Sequence, residues 1–231
     1  MSETLLDALR LLGSFDAKLM GIVWLSLQVS MTAVVLGALV GLPLGAWLAV
    51  AEFPGRNAAV VILNGLMGLP SVVVGVVVYL ALSRSGPFGS LGLLFSPGAM
   101  VIAQMMLVIP LMAALTRQIV EDAWRDYALE FRVMGFSRLQ SVSALIHDCR
   151  HSLLVTLLAG VGRAMSEVGA VMIVGGNIDN VTRVMTTAIA LETSKGDLPL
   201  AIALGIVLMG VVLALNAGAF QVRRWAMRRF G

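Results

Sequence analysis

The sequence has one cysteine, two histidines and only 13% charged residues in 231 positions. A single cysteine, Cys149, excludes an internal disulfide. It lies in the most charged stretch of the chain, which marks it as a free thiol on the cytoplasmic side. The histidines, His147 and His151, have only Asp148 and Cys149 beside them, so no metal site is expected. A G-x-x-x-x-G-K-[ST] phosphate loop is absent, and the chain does not bind ATP by that route. No histidine stands inside an apolar run, so no nucleophile–base pair can be placed there, and enzyme chemistry is not expected. The net charge of +3 is no nucleic-acid signal, because the positions of the basic residues account for it.

What is present is hydrocarbon. The chain is 59% hydrophobic with a mean hydropathy of +0.95, whereas a soluble domain is nearer half apolar and a quarter charged. So much apolar surface needs the bilayer as solvent. About 20 apolar residues cross a hydrocarbon core about 30 Å thick. Five runs meet that length, approximately Met20–Ala51, Ala58–Leu82, Gly98–Leu115, Ser152–Gly175 and Leu198–Phe220. The expected fold is all-α: a polytopic helical membrane protein, one domain over residues 1–231. The preceding segment, "SETLLDALRLLGSFDAKL", mixes charges with leucines and reads as an amphipathic interfacial helix. It lacks a basic start and a small-residue cleavage site, so a cleaved signal peptide is not expected.

With the loop at about 117–150 on the cytoplasmic side, ten Arg residues are inside, five Arg and Lys are outside, and Arg163 is left within the membrane. This bias places the amino terminus outside and the carboxyl terminus inside. The first run carries Ala33, Gly37, Gly41, Gly45 and Ala49 at four-residue spacing, the fourth Gly162, Ser166 and Ala170, and the fifth Gly210, Ala214 and Gly218. Such stripes let helices approach closely in lipid. Pro43, Pro70 and Pro110 lie inside runs, where they permit bends and could serve a gate.

The loop "EDAWRDYALEFRVMGFSRLQSVSALIHDCRH" is the only substantial soluble part. Trp124, Tyr127, Ala128 and Phe131 follow helical spacing. Glu121 and Asp122 suit the amino end of that helix. Gly135 terminates it, and Ser137 caps a second helix with Leu139, Val142, Leu145 and Ile146 inward. A connector needs only a few residues, and this one spends about thirty with exposed aromatics. It therefore reads as a docking surface for another protein.

In the fourth run, Arg163 and Glu167 are neighbours on one face if the helix is continuous. A lone charge at the membrane centre costs about 2.5–3.5 kcal/mol or more, so a partner or water is expected. Two readings stay open: a buried ion pair that fixes register, or a pair on a translocation path. A proton-coupled carrier using Glu167 is a reading of another class. A membrane scaffold is a third, and it leaves the intramembrane charges without a role.

The helix–Gly–helix loop followed by "GRAMSEVGA" resembles the permease subunits of ABC importers of the molybdate, tungstate and sulfate type. The loop stands where that family has its glutamate-alanine-alanine motif, here Leu129, Glu130 and Phe131 before Gly135. "GLPSVVVG" resembles the family's Leu-Pro-Pro-x-Val-x-Gly run, with Ser71 for the second proline. "GPFGSLGLLFSP" resembles its outer loop. "TRVMTTAIALETSKGD" is similar to tungstate permeases above all. The resemblance covers nearly the whole chain and implies the type I importer permease fold. It implies tungstate as cargo, with molybdate or sulfate as alternatives, and a location in the cytoplasmic (inner) membrane. It also implies a second copy of the chain, an ATPase dimer that carries ATP and Mg, and an external oxyanion-binding protein. No cofactor is expected in this chain. The ATPase-coupling residues would be Tyr127, Leu129, Glu130, Phe131, Arg132, Gly135, Phe136 and Ser137. The path or gate would use Pro70, Ser71, Arg163, Ser166 and Glu167. Asn177, Thr182 and Arg183 would lie in the outer loop, where they and Thr186 and Thr187 are expected mostly solvated.

Overall fold

The computed structural model describes residues 17–230, and the amphipathic segment expected at residues 1–16 lies outside them. The described residues form nine α-helices and one short 3₁₀ turn, with no strand among them. They are α1 (Ala17–Val50), α2 (Arg56–Met67), α3 (Ser71–Leu82), α4 (Pro97–Val133), α5 (Arg138–Asp148), α6 (Arg150–Met165), α7 (Gly169–Gly175), α8 (Met185–Lys195) and α9 (Leu198–Phe230); the 3₁₀ turn is Gly89–Leu91. Helices α1, α4 and α9 are long and apolar enough to cross a membrane alone. The bent pairs α2–α3 and α5–α6 bring the candidate spans to as many as five, by length and composition. The protein is a multi-pass membrane protein.

Two of the five expected spans are not continuous. The second breaks at Gly68–Pro70, where α2 ends and Pro70 takes an extended conformation before α3. Proline removes a donor and clashes with the preceding turn, which accounts for the break. Pro43 and Pro110, by contrast, sit inside uninterrupted helices. The fourth span breaks after Met165 and resumes at Gly169. The third runs on without interruption to Val133, so Glu121 and Asp122 lie mid-helix and do not mark an amino end.

Contacts divide the chain into two compact units. The first holds residues 1–33, 70–104 and 164–217, of which 17 onward are described; the second holds 34–69, 105–163 and 218–231. In the second unit the small-residue stripe of α1 meets α4. A β-carbon on Gly41 would lie 3.0 Å from Met112 Cβ, and one on Gly45 would strike the Ala113 carbonyl oxygen. In the first unit α3 crosses α7 as closely: a β-carbon on Gly75 would lie 2.9 Å from Ala170 Cα. Gly75→Val is therefore expected to lower the melting temperature of the purified protein, by the roughly 1–3 kcal/mol typical of overpacking. An unchanged melt would mean that this crossing is loose. In the fourth-run stripe Ala170 is the residue that Gly75 meets, whereas Gly162, Gly210 and Gly218 have no heavy atom within 4 Å of the β-carbon they lack, apart from their own helix and neighbours.

Candidate functional site

Each unit presents one candidate region. In the second unit it is the protruding end of α4 with α5. Helix α4 has 37 residues, about 55 Å at 1.5 Å per residue, while the hydrocarbon core is about 30 Å thick. The charges begin at Arg117, so the last turns stand clear of lipid. Gly135 adopts φ +72°, the left-handed conformation that ends a helix without steric cost when no β-carbon is present. The Ser137 hydroxyl accepts the Gln140 N–H at 3.3 Å, and the Gln140 side chain accepts the Ser137 N–H at 2.8 Å. This reciprocal pair starts α5.

Between these stops the aromatic residues stack. Phe131 lies 6.1 Å from Trp124 and 5.2 Å from Phe136, centroid to centroid, and Tyr127 lies 6.3 Å from Phe131. Beneath them Val142 and Leu145 are buried against Ala46, Ala49, Val50 and Val120, with Ile146 packed alongside. Leu139, expected inward, is 77% exposed. It is the second residue after the capping serine, in the first turn of α5, and is exposed together with Leu129, Val133 and Met134. These four apolar side chains lie exposed around the turn between α4 and α5. Beside it, Glu52 receives Arg132 at 3.4 Å on its carboxylate and Arg138 at 3.3 Å on its carbonyl. These groups line a cleft of about 350 Å³ with Trp124, Phe131 and Phe136.

Deeper in the same unit Arg56 donates to the Leu48 carbonyl at 3.0 Å and the Ala49 carbonyl at 3.4 Å, which satisfies the carboxyl end of α1. The Nη2 that donates to Ala49 also reaches Glu121 at 3.0 Å, and Arg117 pairs with the same carboxylate. The sequence reading missed Glu52, Arg56 and Glu121 in these roles.

In the first unit the region surrounds the break between α6 and α7. Helix α6 ends at Met165, so its last carbonyls lack helical partners. The Ala164 carbonyl is taken by Gln104 Nε2 at 3.0 Å and by the Ser30 hydroxyl at 3.5 Å. Glu167 is only 3% exposed. Its Oε1 accepts the Ala170 N–H at 3.1 Å, capping α7, and its carbonyl accepts the Thr186 hydroxyl at 2.7 Å. Ser26 accepts the Met185 N–H at 2.7 Å, at the start of α8. Regular helix is thus interrupted between Arg163 and Glu167. Arg163 sits in the last turn of α6, where the helix dipole favours a cation.

Ser71, one of the expected path residues, lies close to this break. A β-carbon on Gly169 would lie 3.0 Å from Ser71 Oγ and 2.9 Å from Val72 Cγ2, so the start of α3, with Pro70 and Ser71, abuts the start of α7. Ser166 is exposed within the break. The expected outer loop is more ordered than its polarity suggested. Thr182 is fully buried; its hydroxyl donates to the Gly175 carbonyl at 2.5 Å and accepts the Ile178 N–H at 2.9 Å. Thr186 and Thr187 are also buried, as part of α8, a helix that was not expected. Asn177, at φ +50°, donates to the Thr187 carbonyl at 3.4 Å. Arg183 pairs with Asp179 at 3.1 Å, and Lys18 with the same carboxylate at 2.9 Å. The hydrogen bond from Lys18, together with the nearby charges, holds the Asp179 carboxyl below its ordinary range. This cluster therefore persists to lower pH than an isolated carboxylate would allow, and it is lost only as pH falls through that depressed value.

A helical multi-pass protein with interrupted helices, a buried carboxylate at one break and an exposed apolar helical hairpin is built as a transport subunit. No family model matches the chain. Individual relatives do. It is 41% identical over 96% of its length, and 98% of the relative's, to the tungstate uptake system permease protein TupB of Peptoclostridium acidaminophilum. It is 40% identical to a probable anion ABC transporter permease protein of Haloferax volcanii, over 86% of this chain and 88% of that one. It is 35% identical to the TupB permease of Campylobacter jejuni, over 75% and 72%. The chain belongs to the permease family of anion-uptake ABC transporters.

Proposed function

We propose that this chain is the membrane-spanning subunit of an ATP-driven importer whose cargo is tungstate. The observation that carries the reading is the near end-to-end 41% identity with a tungstate uptake permease. Molybdate and sulfate are the alternatives, since all three are tetrahedral dianions. The subunit would work as a homodimer in the cytoplasmic (inner) membrane, with an external oxyanion-binding protein and an ATPase dimer that holds ATP and Mg. This chain itself would need no cofactor. ATP binding would close the ATPases, draw the α4–α5 hairpins together and switch the path between two discrete arrangements. Arg163 would balance the dianion's charge, and Glu167 would set the geometry of the break. ATPase stimulation in the reconstituted complex should rise at the lowest concentration with tungstate. Stimulation first by molybdate or sulfate would reassign the cargo. Arg163→Met should slow uptake more than Arg163→Lys in proteoliposomes, and normal uptake by both folded variants would remove Arg163 from the path.

The coupling role of Tyr127, Leu129, Glu130, Phe131, Arg132, Gly135, Phe136 and Ser137 is supported by the exposed hairpin. Gly135→Val forces a β-branched residue into φ +72°, at a strain of about 1–3 kcal/mol. The expected outcome is a folded membrane domain that has lost co-purifying ATPase and uptake. Retention of both at parental levels would separate this turn from coupling.

The orientation can be read with Cys149. Burial, and then the neighbouring Asp148 charge, push its thiol above the ordinary value. Less thiolate is present at neutral pH, so maleimide labelling should be slow at pH 7 and quicken as pH rises. Labelling should proceed in inside-out vesicles and not in right-side-out ones. The reverse pattern would invert the topology.

A further inference from the structure

Within the first unit, Gln104 is 3% exposed, and its amide orientation is settled by chemistry. Its partner at 3.0 Å is the Ala164 carbonyl, which can only accept, so Nε2 faces it and Oε1 faces the other way. That Oε1 is buried and takes no hydrogen bond from any of the described residues. A buried acceptor of this kind is rare without a protein or water partner. Gln104 lines a partly open space of about 10 Å³ together with Ser26, Ser30, Glu167 and Thr186, among apolar neighbours. A site for one water needs room for about one such molecule and two to four polar partners. The space admits one water, and these five side chains are polar.

We propose that this cavity is a binding site for one resident water, which donates to Gln104 Oε1 and is held by the hydroxyl and carboxylate groups around it. Its role is to hydrate the break between α6 and α7. Backbone released from a helix at membrane depth is tolerated only where protein or water re-satisfies it. Ser30 and Gln104 cover the Ala164 carbonyl, Thr186 covers that of Glu167, and the water completes the same knot.

A map of the intact transporter, at a resolution where ordered waters are visible, decides the matter. The expected result is one solvent peak at about 2.7–3.2 Å from Gln104 Oε1, absent from the same map of Gln104→Met. An empty cavity in the parent map overturns the proposal. So does a peak with four or more oxygens at about 2.3–2.6 Å, the signature of a hard cation. A second reading uses solution. The melting temperature should not change when sodium is replaced by choline at constant ionic strength, and a clear drop would assign the cavity to a cation.

Discussion

Gly45→Val is expected to abolish recovery of folded protein. A β-carbon at this position collides with the Ala113 carbonyl oxygen and would lie 2.9 Å from Thr116 Cβ. The first obstacle is backbone inside a continuous helix, so it cannot rotate aside as a side-chain end would. Overpacking usually costs about 1–3 kcal/mol. Here a rigid neighbour and a branched residue place the cost at the upper end or beyond, against total stabilities of about 5–15 kcal/mol. The control is Gly210→Ala in α9, where nothing lies within 4 Å. It should be neutral or stabilising, because alanine is favoured over glycine inside a helix by roughly 0.5–1 kcal/mol. Size-exclusion profiles and thermal melts in detergent read both. Similar melts for the two variants would mean that the α1–α4 contact does not set stability.

Glu167→Ala is expected to cost both stability and transport, while Glu167→Gln separates the two. Alanine leaves the Ala170 N–H without its acceptor in a buried setting, a penalty of about 1–3 kcal/mol. Glutamine keeps a carbonyl oxygen in the place of Oε1 and can still cap α7. The glutamine variant should therefore lose less stability than the alanine variant. If the carboxylate charge serves the path, uptake by that variant falls even though its fold is intact. Parental uptake by Glu167→Gln would reduce Glu167 to a helix cap. Ionophore-insensitive uptake in the parent would also dispose of a proton-coupled role for Glu167.

The sequence was legible where a signal is local and lost where a partner is remote. The carboxyl end of α1 lies within one residue of expectation, because the apolar run stops there. Gly135 and Ser137 stop and start their helices by conformation and capping alone, and both were readable. The break at Pro70 carried its own signal, though that signal reads equally as a bend. The break at 166–168 carried none: Ser-Glu-Val contains neither proline nor glycine. It is stabilised by Ser30 and Gln104, which lie 134 and 60 residues from Ala164 in sequence. A polar residue in an apolar run was the available clue to Gln104, Ser26 and Ser30, since such residues in membrane spans are costly and seldom idle. Small-residue spacing illustrates the same limit. It identified Gly41 and Gly45 as contact positions and named Gly162 and Gly210 with equal force. Spacing shows that a face is smooth and does not show what covers it. Thr182 and Thr187 looked like solvated loop residues because their burial depends on how their segment folds back over neighbouring backbone.

The most direct test is uptake by proteoliposomes that contain this chain, its ATPase and its external binding protein. The account predicts accumulation of tungstate that requires ATP and the ATPase, and that stops when either is left out. Tungstate accumulation without ATP, driven by an ion gradient through this chain alone, would contradict it.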